Sequence, residues 1–338
     1  MLRGKGPLFL ASNHPNSFLD AVIIASHCKR RTFILVRGDV FKKKWASKIL
    51  RKLYCLPIYR ISEGRNLIKE KNKETFSESL ELFRRGNNIL IFSEGICENE
   101  WLLRSLGKGT ARLACRAWQD PAIPSSFRVY PVGITYNNFD RIGKKVFLLT
   151  GDPLENPADE YHPRILNEFN ITLRKQLEKL IVRIPPEPDS IRRFQLLTEN
   201  ASGKTDAAEL IKTMQETLDR ESESGNEAIP LKKQPARRWK KIFFFPLALA
   251  GWIVNAPFYY PVRSIARRIT RGTVYYDSVL FGILFFLYPI YVVILIWIFI
   301  ATTGSFWWIT LLAVLPFIGR LTVRHPWFTA SSNELRYS

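Results

Sequence analysis

The sequence predicts an α/β domain with a mixed central sheet flanked by helices, followed by a C-terminal hairpin of two transmembrane helices. Two observations lead to this fold class. Short apolar runs alternate with segments of helical periodicity over the first part of the chain. Later, residues 278–319 contain no charged side chain, and this stretch is long enough to form two apolar helices.

Six apolar runs have the length and residue types of buried strands. They cover residues 7–11, 32–36, 55–59, 88–92, 128–134 and 145–150. Helical spacing marks residues 71–85 and 110–118, and residues 165–182 predict an amphipathic helix that closes the domain. Strands that alternate with helices in this way predict a mostly buried sheet.

Composition divides the chain into three regions. Residues 1–185 are assigned to the α/β domain, because Pro185 and the prolines that follow it break the last amphipathic helix. Residues 186–236 are polar and of mixed charge, which predicts a helical bridge or linker. Residues 237–338 then form a membrane region.

The membrane region contains three apolar segments. Thr302 to Ser305 divide the uncharged stretch, which predicts transmembrane helices over residues 278–301 and 305–319. Residues 243–262 are also apolar, but prolines interrupt them and basic residues flank both ends, which favours a re-entrant or interfacial segment. Arginines outside both ends of the hairpin predict that both ends are cytoplasmic.

The chain is strongly basic: its 338 residues carry 50 Lys and Arg against 30 Asp and Glu, a formal net charge of +20. Such a charge suits either nucleic acid or an anionic membrane surface with anionic substrates. The sequence contains no zinc-ligand spacing and no basic zipper region, so the second interpretation is favoured and no nucleic-acid partner is expected. The four cysteines lack paired spacing, which predicts reduced thiols and a catalytic part that faces the cytosol.

The residues with the most chemical information directly follow the first apolar run. His14 lies where this strand ends, and five residues separate it from Asp20. A neutral imidazole takes a proton from an alcohol, and a nearby carboxylate fixes its tautomer and stabilises the imidazolium that forms. The alternative interpretation is a packed histidine beside a helix cap.

Further charged residues follow other predicted strands. The guanidinium of Arg60 suits a bidentate contact to phosphate, the alternative being a surface salt bridge. Glu94 and Gly95 follow the most apolar strand and suit an acceptor-binding turn. Lys108 lies at a helix start, where free backbone amides and a cation together attract phosphate.

Four blocks of residues, taken in order, resemble the glycerolipid acyltransferase family. The family's blocks run Asn-His-x4-Asp, Pro/Phe-Ile-x-Arg, Phe-Pro-Glu-Gly-Thr-Arg-Ser with a later Lys-x-Gly, and Val-Pro-Val. The corresponding blocks here are residues 13–20, 57–60, 89–95 with 106–112, and 129–134. The resemblance covers residues 5–155, and relatives place an additional segment before the first block, so an upstream segment is expected.

Three departures from the family pattern are informative. The five residues between His14 and Asp20 resemble the longer-spaced branch, which includes glycerol-3-phosphate and dihydroxyacetone-phosphate acyltransferases. Ser93 stands where the family has proline, and residues 96–97 replace its Thr-Arg. Arg104 or Lys108 is expected to take over the phosphate contact of the missing arginine.

The resemblance implies an enzyme that transfers a fatty acyl group from an acyl thioester to a glycerol-phosphate hydroxyl. The donor is a fatty acyl thioester of coenzyme A or of acyl carrier protein. The resemblance implies no metal and no tightly bound cofactor. Glycerol-3-phosphate or dihydroxyacetone phosphate is the favoured acceptor, and lysophosphatidate or another lysophospholipid is the alternative. His14 is the base and Asp20 its partner; the residues expected to hold the acceptor are Asn13, Arg60, Glu94, Gly95, Arg104 and Lys108. A membrane tether without turnover is the alternative of another class.

Overall fold

The computed structural model describes residues 6–59, 65–157, 162–200, 206–223 and 238–324. It contains two compact units. The first unit consists of Met1–Thr135, Val146–Pro186 and Gly203–Glu223, and the second of Tyr136–Lys145, Glu187–Ser202 and Ser224–Ser338. The central sheet lies in the first unit, and the long apolar helices lie in the second.

Six strands form the sheet. They are β1 (Leu8–Ser12), β2 (Thr32–Arg37), β3 (Cys55–Ile58), β4 (Asn88–Phe92), β5 (Arg128–Tyr136) and β6 (Val146–Thr150), arranged in the order β3-β2-β4-β1-β5-β6. The first five strands pair in parallel. β6 lies beside β5 and is followed by an antiparallel bridge between Val129 and Leu154. The predicted mixed α/β sheet is confirmed, and every predicted strand is present to within two residues at either end.

Helices connect the strands. The first unit contains α1 (Ser17–Ser26), a short 3-10 helix (Gly38–Phe41), α2 (Lys44–Lys52), α3 (Arg65–Arg84), α4 (Lys108–Gln119) and α5 (Pro163–Leu180). Of the next two helices, α6 (Pro188–Asn200) belongs to the second unit and α7 (Ala207–Glu223) to the first. The bridge expected over residues 186–236 is therefore helical in the parts that the structure describes. Its assignment as a linker stays a prediction.

Strand β1 is buried on both faces of the sheet. Leu8 and Leu10 belong to one buried cluster, whereas Phe9 and Ala11 belong to another. Successive side chains of a strand point to opposite faces, so alternate residues of β1 contribute to both cores. This double burial fixes the strand whose carboxyl end precedes His14.

Gly133 of β5 is in close contact with the end of α5. A Cβ atom placed on Gly133 would lie 2.5 Å from both the Cβ and the backbone O of Leu180. Because a backbone atom cannot rotate away, we expect Gly133→Ala to cost about 1–3 kcal/mol of stability. The measurement is the thermal melting temperature of the detergent-solubilised protein. Gly109→Ala, on α4 with nothing within 4 Å of the added methyl, is the control; equal melting temperatures for both variants would contradict this packing argument.

The second unit contains three long helices. They are α8 (Arg238–Ile269), α9 (Tyr276–Thr303) and α10 (Leu311–Arg324), with a 3-10 turn at Phe306–Thr310 between the last two. Three segments are long and apolar enough to cross a membrane by length and composition: Phe243–Ile269, Tyr276–Thr303 and Phe306–Val323. Helix α9 ends at Gly304, whose φ of 67° is left-handed, at the break that the sequence predicts.

The prolines of α8 do not end the helix. Pro246, Pro257 and Pro261 all lie inside it. An internal proline removes one backbone hydrogen bond and bends a helix, while bonds on either side continue. Residues 243–262 are thus part of one continuous helix. Their re-entrant or interfacial placement stays a prediction, because it concerns a bilayer.

Small residues bring α8 and α10 together. A Cβ atom on Gly251 would lie 2.3 Å from Cγ2 of Ile318. The Thr322 hydroxyl, itself buried, donates to the Ala248 carbonyl at 2.9 Å. Close backbone approach at glycine and hydroxyl bonds between helices are typical of helix pairs in membranes.

Candidate active site

His14 and Asp20 meet beside the carboxyl end of β1. β1 ends at Ser12, and Asp20 lies in the first turn of α1. His14 Nδ1 is 2.9 Å from Asp20 Oδ2. The Asp20 side chain is fully buried, whereas 16% of the His14 side chain is exposed. Since the carboxylate engages Nδ1, Nε2 is the ring nitrogen left to accept a proton from a bound alcohol.

The turn between β1 and α1 holds the carboxylate. The backbone N–H of Asn16 donates to Asp20 Oδ2 at 2.7 Å. Ser17, the first residue of α1, has a left-handed φ of 50°, which lets the chain reverse sharply there. The N-terminal turn of a helix also favours a negative charge. The five-residue spacing between His14 and Asp20 therefore closes into a direct contact.

Phe92 is a neighbour of His14 that the sequence analysis missed. The two rings are stacked, with centroids 3.8 Å apart and planes 12° from parallel. Phe92 is the last residue of β4, which pairs in parallel with β1 so that Ser12 is opposite Phe92. The only available signal was that both residues lie at strand ends. The stacked ring limits rotation of the imidazole about χ2.

Glu94 connects two loops through its carboxylate. Oε1 accepts the backbone N–H of His14 at 2.9 Å, and Oε2 accepts that of Arg104 at 3.2 Å. Burial raises the pKa of the Glu94 carboxyl above its usual range, and the two N–H bonds act in the opposite direction. Glu94 thereby positions the backbone of His14. Its contact with the acceptor stays a prediction.

Asn13 and Gly95 also shape the backbone around His14. The Asn13 side chain is buried, donating to the Ile134 carbonyl and accepting the Ile134 N–H, both at 2.9 Å. This pair of bonds holds the end of β1 against β5. Gly95 has a left-handed φ of 68° and donates its N–H to the Phe92 carbonyl at 3.1 Å, forming a tight turn that suits glycine.

Ser93 shows why a proline is absent from its position. Its backbone N–H donates to the Ser12 carbonyl at 2.9 Å, a bond that proline cannot make. Its hydroxyl accepts a bond from the Thr110 hydroxyl at 3.0 Å, and its carbonyl accepts the Gly107 N–H at 2.7 Å. Ser93 thus connects the end of β4 to β1 and to the start of α4.

Two of the predicted cationic residues, Arg104 and Lys108, lie in the part of the chain that the structure describes. The Arg104 guanidinium pairs with Glu100 at 2.9 Å on the protein surface. Lys108 is exposed as the first residue of α4, where free backbone N–H groups favour an anion. Arg60 lies outside the described residues. The structure therefore unites Asn13, His14, Asp20 and Glu94, while phosphate contacts by the cations stay predictions.

Metal ligands are not grouped in the part of the chain that the structure describes. There, no three His, Cys, Asp or Glu side chains are placed to hold a metal ion. A base and its carboxylate partner can activate an alcohol through proton transfer alone. The expectation of a reaction without metal or cofactor stays a prediction.

Cys97 is the one thiol beside this cluster. Its Sγ accepts the backbone N–H of Ser17 at 2.9 Å. Burial, reinforced by the negative charge of Asp20, raises the pKa of the Cys97 thiol to about 12. The thiol is therefore protonated near neutral pH and is a poor nucleophile.

We expect Cys97→Ser to retain about the turnover of the unchanged protein, because serine keeps an acceptor for the Ser17 N–H. We also expect alkylation of Cys97 by iodoacetamide to be slow at neutral pH and to accelerate steadily toward pH 12, since only the thiolate reacts. Mass spectrometry of the modified peptide measures this rate. Abolished turnover in Cys97→Ser, or an acyl group found on Cys97, would contradict this assignment.

The fold and the His14–Asp20 pair define a class: an α/β domain with a histidine–aspartate pair at the carboxyl end of a central parallel strand. Residues 1–135 match the family model described as Acyltransferase. The match includes His14, Asp20 and Glu94, and it supports acyltransferase activity in general. Searches of curated proteins and of solved structures found no match to this chain.

Proposed function

We propose that this protein is an acyltransferase of glycerolipid synthesis, which moves a fatty acyl group from a thioester to a hydroxyl of a glycerol phosphate. The observation that carries the proposal is the 2.9 Å contact between His14 Nδ1 and buried Asp20, within the region that matches the acyltransferase model. Its strand-end position leaves Nε2 of an orientated imidazole for the acceptor alcohol.

The proposed reaction is a direct acyl transfer. Nε2 of His14 accepts the proton of the acceptor hydroxyl as that oxygen attacks the thioester carbonyl carbon. The tetrahedral intermediate collapses with cleavage of the carbon–sulfur bond, and the imidazolium returns the proton to the departing thiolate. Asp20 stabilises the imidazolium between these steps. The products are an ester and the free thiol of coenzyme A or acyl carrier protein.

The acceptor is proposed to be glycerol-3-phosphate or dihydroxyacetone phosphate. The support is the five-residue spacing of the His–Asp pair and the net charge of +20, which favours an anionic substrate. Arg60 and Lys108 are proposed to contact the phosphate, with Arg104 nearby. Lysophosphatidate or another lysophospholipid is the alternative acceptor.

A membrane tether without turnover is the second candidate. The replacement of Thr-Arg by Ile96 and Cys97 in the third block favours it, because a cation is missing there. The His14–Asp20 contact favours the enzyme, since a tether has no need of a buried carboxylate that orients an imidazole.

One experiment separates these candidates. Detergent-extracted protein is incubated with a labelled acyl thioester of coenzyme A or of acyl carrier protein. The acceptors glycerol-3-phosphate, dihydroxyacetone phosphate and lysophosphatidate are then tested one at a time. We expect a labelled ester from one of the first two acceptors, and no ester from His14→Ala. Acylation of lysophosphatidate alone would reassign the acceptor. Failure with every acceptor and both donors would favour the tether.

The protein is further proposed to be an integral membrane protein with its first unit on the cytoplasmic side. The support is the uncharged stretch 278–319 in α9 and α10, together with the arginines on either side of it, Arg268, Arg271, Arg320 and Arg324. Because α8 is predicted to be re-entrant or interfacial, the first unit is placed on the same side as these arginines. We expect the protein to remain with membranes after high-salt and alkaline washes, because salt screens only attachment through charge. Immunoblots of pellet and supernatant measure this. Release of the full-length chain by salt would contradict the proposal.

A further inference from the structure

Helix α2 buries none of its residues. Trp45, Ile49 and Leu53 are spaced four residues apart, with Leu53 directly after the helix, so they form one ridge along it. These three side chains are 65%, 51% and 50% exposed. Isolated exposed apolar residues are common, but a continuous ridge indicates a surface that contacts something.

A second ridge of α2 consists of cations. Lys44, Lys48 and Lys52 share the same four-residue spacing, each one position before a residue of the apolar ridge. Lys42 and Lys43 precede the helix, and residues 42–54 contain no Asp or Glu. Helix α2 is therefore amphipathic, with a row of positive charges directly beside its exposed apolar row.

Backbone hydrogen bonds form both ends of α2, and one further bond connects the residue after its C-terminal end to the sheet. Ser47 N–H donates to the Lys43 carbonyl at 2.9 Å, and Leu53 N–H to the Ile49 carbonyl at 3.0 Å. Tyr54 has a left-handed φ of 60°, and its carbonyl accepts the N–H of Ile34 in β2 at 2.8 Å. The end of α2 is thus anchored to the sheet, and the exposure of Trp45, Ile49 and Leu53 shows that their ridge faces outward.

We propose that α2 lies in the interface of an anionic membrane, with the ridge Trp45–Ile49–Leu53 at the acyl-chain boundary and the lysines among the headgroups. Tryptophan is favoured at this depth, and lysine extends its ammonium toward the headgroups while its methylenes remain apolar. Basic amphipathic helices bind such surfaces through buried apolar area and attraction to anionic lipid.

Charge favours lipid over a protein partner on this face. Lysine is depleted in protein–protein interfaces, whereas here a lysine row borders the whole apolar ridge. A second copy of the chain would bring the same positive rows together and repel. An anionic bilayer offers negative headgroups to the lysine row and acyl chains to the apolar ridge.

The position of α2 gives the contact a consequence for the first unit. α2 follows β2, which runs parallel to β4 and, through β4, to β1. The carboxyl ends of these strands lie at one edge of the sheet, and His14 follows β1 there. Phe18 and Ile96, which also follow strands at this edge, are exposed. Because α2 leads back from this edge to the start of β3, the inference is that its beginning, with Trp45, holds the edge near lipid. This inference does not rest on the proposed reaction.

The test uses the full chain in nanodiscs of phosphatidylcholine, with or without phosphatidylglycerol. Cys28 and Cys97, the partly exposed thiols, are replaced by serine, and a fluorophore is attached at Ile49→Cys or, as the matched control, at exposed Arg164→Cys on α5. We expect lipids with a nitroxide on the acyl chain to quench position 49 several-fold more than position 164. This difference should grow with phosphatidylglycerol.

Three outcomes overturn the proposal. If aqueous iodide strongly quenches the fluorophore at position 49 and nitroxide lipid quenches it little, the ridge lies in water. Protection from both quenchers means that protein covers the ridge. Equal lipid quenching in both nanodiscs, unchanged when Lys48→Glu and Lys52→Glu are added, removes the role of anionic lipid. Because α2 buries no residue, these substitutions leave the core intact.

Discussion

His14→Ala is expected to lower kcat by about 10²–10⁴-fold, which is the usual contribution of a general base. The variant removes the Nε2 atom that accepts the acceptor's proton and the contact between His14 and Asp20. The melting temperature is measured beside the rates, because the variant also loses the stacking on Phe92 and the contact with buried Asp20. Initial rates over a range of acceptor concentrations measure the effect.

The matched control for His14 is His27→Ala. His27 follows α1 and is exposed, with Nδ1 2.8 Å from the Ile23 carbonyl, so its loss should leave turnover unchanged. A change of KM alone in His14→Ala would reassign His14 to acceptor binding, because loss of uniform binding raises KM without lowering kcat. Unchanged kcat and KM would remove His14 from the reaction.

Asp20→Asn is expected to lower kcat by about 10²-fold, less than loss of the base but still severe. The amide keeps the shape of the side chain, and its oxygen can still accept the Asn16 N–H. It carries no negative charge to stabilise the imidazolium that forms at His14. The partly exposed Asp39, which pairs with Arg37, supplies the control Asp39→Asn.

The double variant sharpens this prediction. Because His14 and Asp20 act as one unit, His14→Ala with Asp20→Asn should be no slower than His14→Ala alone. Multiplicative losses would show instead that Asp20 acts apart from the histidine. A lower melting temperature in Asp20→Asn that accounts for the lost activity would assign the buried carboxylate to stability.

The sequence by itself determined the six strands, three of the helices of the first unit and the spacing of the main chemical pair. Apolar runs of four to nine residues indicate buried strands, because a strand covered on both faces of a sheet needs consecutive apolar side chains. The spacing of His14 and Asp20 also indicated a contact, because residues this close in sequence can meet across a single turn. The break at Gly304 was also readable, because glycine suits a left-handed helix end.

Tertiary structure alone decided what surrounds the histidine. Phe92 and Glu94 are distant in sequence and reach His14 only because β4 lies next to β1, and Asn13 meets Ile134 because β5 lies on the other side. Strand order depends on packing across the whole sheet, and local periodicity contains no information about it. The exposure of the α2 ridge was likewise decided by the tertiary structure. An apolar helical face in a sequence predicts burial, and only the fold shows whether another element packs against it.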